Sequence, residues 1–303
     1  MSIRKPQVIF IAGPTAVGKS SVSIAMAQAF GCDILNADSR QLYKELSIGT
    51  AKPKAKELSK VKHHFINSHS ILDPFTASDY VSEGLNILEE IWKSHDVAII
   101  SGGTGLYIQG ILEGFDDVPD VDDSITNGLK DTFELSGLHI LQEELKDRDP
   151  DYYLSVDLEN PHRLIRALSV IRMTGQPFSS FLKKKVVERN FDAIKLLLNI
   201  DRESLYAKIN KRVDLMIDQG LVAEVAQLIE YRALPALNTV GYKELFDYID
   251  GLISLDEAIQ LIKRNSRRYA KRQMTWYRNR PGWKTFHPDD MDKMLKYVRK
   301  SRP

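Results

Sequence analysis

Residues 13–20 read GPTAVGKS and follow directly on the apolar run VIFIA at 8–12. This is the pattern G-x-x-x-x-G-K-[ST], and it constrains the chain more than any other stretch. It needs a buried strand before it and a helix after it, because its glycines turn successive backbone N–H groups toward one anion. Both neighbours are present: VIFIAG (8–13) reads as a buried strand, and from Gly18 a helix opens through SSVSIAMAQAF. The positive end of that helix adds to the attraction for phosphate. Gly13, Pro14, Thr15, Ala16, Val17, Gly18, Lys19 and Ser20 are therefore the candidate phosphate cradle. Lys19 reaches outer phosphates, and the Ser20 hydroxyl is the candidate ligand for Mg2+.

Short apolar strands then alternate with helical stretches: CDILNAD (32–38), the helical SDYVSEGLNILEEIWKS (78–94), VAIISGG (97–103) and, later, LLLNID (196–201). This alternation predicts an α/β fold, a P-loop NTPase-like parallel sheet flanked by helices. Between 110 and 160 the pattern changes. DDVPDVDDS (116–124) is acidic and broken by proline, and helical segments follow. From Asn160 the chain reads as mostly helical, through PHRLIRALSVIRMTG, then SLYAKINKRVDLMIDQGLVAEVAQLIEYR, then SLDEAIQLIKRNSRRYAKRQMTWYRNR. The expected organisation is a P-loop core over 1–110, a mostly helical insertion over 111–195, and a return to the core with a basic helical C-terminal part over 196–303.

Composition narrows the class. The 303 residues are 43% hydrophobic, enough for a sizeable core, and the formal charge is only +1. Cys32 is the one cysteine, which excludes disulfides within the chain and cysteine-rich zinc sites. No run of about 18 apolar residues could span a membrane. MSIRKPQ leads into a strand rather than a cleavable signal, so a soluble, cytoplasmic protein is expected.

A nucleotide-hydrolysing phosphate loop is accompanied by a carboxylate at a nearby strand end. VAIIS ends in SGGTG, without an acid, whereas CDILNAD ends in Asp38. Asp38 is then a magnesium helper, a base acting on a second substrate, or a helix N-cap. GGTGLY (102–107) is a second glycine-rich turn after a buried strand, where glycine admits close approach of a backbone or ligand. His63 and His64 are adjacent in VKHHFIN and face opposite ways on a strand, which makes a poor metal pair and favours a structural role.

The stretch KRNSRRYAKRQMTWYRNR (263–280) holds eight Lys or Arg and no acid. Ile259, Ile262, Ser266, Tyr269, Gln273 and Tyr277 recur at spacings of three or four, giving one packable face and otherwise basic ones. In a near-neutral chain such a helix either pairs with acids elsewhere or meets nucleic-acid phosphate. RLIRAL (163–168) adds Arg163 and Arg166 on one side of a helix.

GPTAVGKS, NADSRQLY (36–43), IGTAKP (48–53), HHFI (63–66), GGTGLY, NPHRLIRAL (160–168), TG (174–175), VGYKE (240–244) and RRYAKRQMTW (267–276) occur in this order. From residue 8 to about 280 the chain resembles the bacterial tRNA dimethylallyltransferases, also called isopentenyl-tRNA transferases. The resemblance implies transfer of a dimethylallyl group from dimethylallyl diphosphate to N6 of the tRNA adenosine immediately 3′ of the anticodon, with pyrophosphate leaving. It implies that the loop holds a prenyl diphosphate, with Lys19 and Thr15 assisting at its oxygens, and that Asp38 is the base. It implies tRNA contacts at Asp38, Ser39, Arg40, Gln41, Thr104, Arg163, Arg166, Thr239, Gly241, Tyr242, Lys243, Arg268 and Arg272. Mg2+ is the implied cofactor and the tRNA anticodon stem-loop the implied partner of a monomer. Where the family continues RALE, this chain has RALS, with Ser169 in place of Glu.

Three other readings remain at this stage: a small-molecule P-loop kinase, an adenylate isopentenyltransferase acting on free nucleotide, and an RNA-binding protein with a degenerate loop. The kinase needs no 18-residue basic helix, the free-nucleotide enzyme needs no long helical tRNA-binding part, and the intact Lys19, Ser20 and Asp38 oppose the third.

Overall fold

The computed structural model describes residues 5–182, 187–278 and 280–301. The chain forms two compact units, Met1–Leu112 with Glu188–Pro303, and Glu113–Val187. The first begins with strand β1 (Gln7–Ala12), helix α1 (Lys19–Phe30), β2 (Ile34–Asn36), α2 (Ala55–Leu58), β3 (His63–His64), α3 (Ala77–Trp92), β4 (Val97–Ser101) and α4 (Gly105–Glu113). The second unit carries α5 (Asp123–Ser136), α6 (Leu138–Arg148), α7 (Pro150–Tyr153) and α8 (Pro161–Thr174). The first unit resumes with β5 (Asp192–Leu198), α9 (Arg202–Asp218), α10 (Leu221–Ala226), α11 (Tyr242–Ile249), α12 (Leu255–Arg278), β6 (Lys284–Phe286) and α13 (Met291–Lys300).

The six strands form one sheet in the order β3-β2-β4-β1-β5-β6, and every pairing is parallel. A parallel sheet covered on both faces reads as continuous apolar strands. β1 is buried along its whole length, with Val8, Phe10 and Ala12 in one core and Ile9 and Ile11 in the other. Its central place puts the loop after β1 at the C-terminal edge between β4 and β5, the position where open α/β sheets bind ligands.

Two boundaries differ from the sequence reading. β5 starts at Asp192, before LLLNID, and residues 188–195 belong with the sheet rather than with the insertion. The helical stretch read over 204–232 is divided at Gly220, which sits at φ 97° and ends one run before α10 begins. That left-handed backbone is open to glycine and costly for other residues.

The second unit packs Leu129, Leu141, Leu145, Leu164 and Leu168 into its own core. Asn160 caps α8 on the Arg163 N–H, with Pro161 at the first helical position. Buried Asp149 accepts from Tyr152 N, Ser179 N and Ser179 Oγ, so three donors satisfy its carboxylate. Among the described residues, no helix is long and apolar enough to cross a membrane.

Candidate active site

The phosphate loop is built on backbone conformations that its sequence permits. Gly13 has φ 150° and Gly18 has φ 108°. A Cβ at Gly13 would lie 2.6 Å from the carbonyl oxygen of Leu198, so glycine is required there by the neighbouring strand. The first N–H groups of α1 have no partners within the helix and face outward as anion donors.

Lys19 folds over the loop, its Nζ donating to the carbonyls of Gly13 at 3.0 Å and Pro14 at 2.9 Å. An ammonium has three donors, so one remains for a ligand. Burial lowers its pKa to about 8, Asp38 opposing that shift and Arg212 adding to it. The hydroxyl of Thr15 accepts from Arg212 Nη1 at 3.2 Å, which leaves its proton free to donate. Ser20 is exposed at the mouth of this cavity, with no hydrogen-bond partner within the chain among the described residues.

Asp38 follows β2 but caps no helix, because residues 39–45 are turns and a bridge rather than helix. Its Oδ1 accepts the Arg40 N–H at 3.0 Å, closing a local turn. Its Oδ2 lies 3.9 Å from where a Cβ would stand on Gly103. The turn is tied to the GGTG segment through Thr104, whose hydroxyl accepts the Ser39 N–H at 2.9 Å and donates to Ser39 Oγ at 3.2 Å.

The glycines of GGTG admit protein rather than ligand. A Cβ on Gly102 would lie 2.1 Å from the backbone of Ala37, one on Gly103 2.4 Å from Gln273 Nε2, and one on Gly105 2.3 Å from Trp276 Nε1. The turn is thus shaped to receive β2 on one side and α12 on the other.

Two cavities meet at Asp38. One, of about 360 Å³, is lined by Thr15, Lys19, Ser20, Asp38, Arg212 and Gln273 among others. The other, of about 690 Å³, shares Thr15, Asp38 and Arg212 and extends along Ser39, Arg40, Thr239, Gly241, Lys243, Arg268 and Arg272. Tyr269 borders both; burial, and then Asp38, raise the pKa of its phenol, which stays protonated.

The remaining candidates divide. Gln41 is turned to the IGTAKP segment, its Nε2 donating to Thr50 O and Ala51 O. Tyr242 is fully buried, its hydroxyl donating to Glu224 at 2.6 Å, so its side chain has no surface to offer an RNA. The same Glu224 accepts the N–H groups of Ser47, Ile48 and Gly49 and fixes that loop. Arg163 and Arg166 are exposed on α8 of the second unit, Arg166 donating to Pro119 O at 3.1 Å. Ser169 is buried in that unit, within 3.3 Å of the Thr126 hydroxyl, and does not reach for an arginine.

The basic stretch is less bare than its sequence. Lys263 pairs with Asp214 at 2.6 Å, Arg267 donates to Asn210, and Arg280 donates to Gln109 and stacks on Trp276. Arg268, Lys271, Arg272 and Arg278 stay exposed. His64 bonds Asp33 at 2.9 Å and His63 bonds the Val61 carbonyl, both at the edge of the sheet.

Three side chains of the site are absent from the candidates that the sequence names. Arg212 comes from α9, and Tyr269 and Gln273 come from the α12 face that the helical period assigns to packing. Nothing local singles out Arg212 among the charges of α9. A polar Gln on an otherwise apolar stripe is the one available signal for Gln273.

A parallel sheet, a phosphate cradle at its C-terminal edge and a carboxylate shared with a basic cavity define a P-loop protein that brings a phosphorylated donor to a second, anionic substrate. Residues 41–280 match the family model described as IPP transferase. The tRNA dimethylallyltransferase of Christiangramia forsetii is 50% identical over 288 residues, 95% of each chain. The crystal structure of the tRNA isopentenylpyrophosphate transferase from Bacillus halodurans superposes with a TM-score of 0.73 at 32% identity, covering 98% of this chain and 96% of that one. A eukaryotic dimethylallyltransferase, solved acting on tRNA, gives a TM-score of 0.80 at 27% identity over 98% of this chain and 80% of its own. The chain belongs to the IPP transferase family.

Proposed function

We propose that this protein transfers the dimethylallyl group of dimethylallyl diphosphate to N6 of the adenosine immediately 3′ of the anticodon in tRNA, releasing pyrophosphate. The observation that carries this reading is Asp38, which borders both the phosphate-loop cavity and the basic cavity of α12. The names of the relatives support it, being tRNA dimethylallyltransferases and a transferase solved acting on tRNA.

The adenine amine is a poor nucleophile, since its lone pair is delocalised into the ring. It gains from a base that takes its proton as the C–N bond forms, and Asp38 Oδ2 is the free carboxylate oxygen facing the junction. The C–O bond to the diphosphate breaks as the C–N bond forms, and allylic delocalisation eases the charge at carbon. The harder demand is the charge on the leaving diphosphate. The loop N–H groups, Lys19, the Thr15 hydroxyl and Arg212 converge where that charge grows, and their value is electrostatic.

The donor set for a metal is one exposed hydroxyl, Ser20, beside the Asp38 carboxylate, with no cluster of three or more His, Cys, Asp or Glu among the described residues. Such a set fits Mg2+, which keeps several waters and binds through substrate phosphates. Bound there, Mg2+ would neutralise charge on the leaving diphosphate.

The acceptor base must leave its stack, which costs a few kcal/mol and is cheapest in a loop. Arg268, Arg272 and Lys243 supply cations along the cavity, and Arg163 and Arg166 supply them on the insertion. We assign the protein to the cytoplasm as a monomer acting on this large partner. The experiment is incubation with labelled dimethylallyl diphosphate, Mg2+ and unmodified tRNA, with AMP as acceptor in parallel. Label in tRNA alone supports the reading; label in AMP points to a free-nucleotide prenyltransferase.

A further inference from the structure

Gln273 is 6% exposed and lies 258 residues from the loop that it touches. Its Oε1 accepts the Thr15 N–H at 2.8 Å, and its Nε2 donates to the Gly103 carbonyl at 2.9 Å. The amide therefore spends opposite polarities on two different turns. One turn carries the Thr15 hydroxyl. The other carries Thr104, which holds the Ser39 N–H beside Asp38. A Cβ on Gly103 would lie 2.4 Å from this same Nε2, so a larger residue there would have to displace the Gln273 amide. The helix that supplies Gln273 also carries Arg268 and Arg272 on the basic cavity.

We propose that Gln273 is a positioning residue for prenyl transfer, holding the Thr15 end of the phosphate cradle and the Gly103–Thr104 turn at one spacing, so that donor carbon and Asp38 face the same acceptor amine. This rests on the function proposed above. Small displacements of reacting groups cost rate more than binding. Gln273 touches neither substrate in this role; it acts through Thr15 and through the turn next to Asp38.

The test compares the wild-type protein with Gln273→Met and Gln273→Glu, measuring kcat, KM for dimethylallyl diphosphate, tRNA affinity, thermal unfolding and the pH profile. Gln273→Met, close in volume, is expected to lower kcat by about tenfold or more, with the donor KM and the tRNA affinity changed by less than about threefold. Gln273→Glu is expected to recover as pH falls. A neutral carboxyl accepts from the Thr15 N–H and donates to the Gly103 carbonyl as the amide does, whereas a carboxylate opposes that carbonyl. Lys19 at the start of α1, Asp38 after β2, Arg212 of α9 and Tyr269 of α12 line the same cavity as this position. Unchanged kcat in Gln273→Met would overturn the proposal. So would a flat ratio of Gln273→Glu to wild type across pH, or a parallel fall of kcat, tRNA affinity and melting temperature. Wild-type protein that transfers no label to tRNA would instead overturn the underlying function.

Discussion

Arg212 Nη1 donates to the hydroxyl of Thr15 at 3.2 Å, so a cation 197 residues downstream completes the phosphate loop. The loop alone offers one ammonium, Lys19; with Arg212, the diphosphate of the proposed donor would meet two cations and an oriented hydroxyl. Burial pulls the guanidinium pKa down and Asp38 opposes this, yet a guanidinium stays charged at any working pH. Arg212→Ala is expected to lower kcat by about 10²-fold while tRNA affinity stays within about threefold. Single-turnover transfer alongside a tRNA binding titration checks it. Equal loss in both would mean that Arg212 serves RNA binding instead.

Lys19 predicts a pH dependence with a definite sign. Its amine titrates at about 8 in the free protein, below the ordinary 10.5. A diphosphate bound beside it favours the ammonium and raises that pKa again. Donor affinity is therefore level below pH about 8 and falls by about tenfold per pH unit above it, with one proton taken up on binding in that range. Calorimetry of dimethylallyl diphosphate in two buffers of different ionisation enthalpy reads both. Binding that is independent of pH through this window would contradict the assignment of Lys19 to the diphosphate.

Gly102 packs against the backbone of Ala37, and a Cβ there would lie only 2.1 Å from it. No rotamer relieves that clash, and Ala37 precedes Asp38. Gly102→Ala is expected to cost about 1–3 kcal/mol by overpacking and to lower kcat more than tRNA affinity. Gly128, exposed in α5 with open space around its Cα, is the contrast. There an alanine is expected to stabilise by about 0.5–1 kcal/mol. Urea unfolding and steady-state assays on both variants check the pair.

Arg268 and Arg272 line the larger cavity and remain exposed. Replacing both with alanine is expected to weaken tRNA binding and to reduce the slope of log affinity against log salt by about 1–2. The measurement is binding of unmodified tRNA across a salt series. An unchanged slope would remove phosphate contacts from this part of α12.

What could be read before the fold was known follows from where chemistry is contiguous. GPTAVGKS is legible because strand, loop and helix are consecutive, and Asp38 because it follows closely on the apolar run of β2. Arg212 and Gln273 are not, since their partner Thr15 lies 197 and 258 residues away and only the packing of α9 and α12 brings them together. GGTG was legible as a place of close approach but not as to what approaches, because Gln273 and Trp276 reach it from α12. The basic stretch overstated its free charge, since Asp214 and Asn210 sit on α9 opposite Lys263 and Arg267. The break at Gly220 shows the limit of periodicity: the apolar spacing continues through a glycine that the backbone uses to turn.

The most direct measurement is a product count on wild-type protein and on Asp38→Asn, which keeps the acceptor for the Arg40 N–H but removes the base. With dimethylallyl diphosphate, Mg2+ and unmodified tRNA, wild type is expected to release pyrophosphate in equal amount to N6-dimethylallyladenosine recovered from the anticodon loop. Asp38→Asn is expected to bind tRNA normally while losing about 10²–10⁴ of that rate. Pyrophosphate without modified adenosine, full activity in Asp38→Asn, or orthophosphate transfer from ATP in its place would contradict the account.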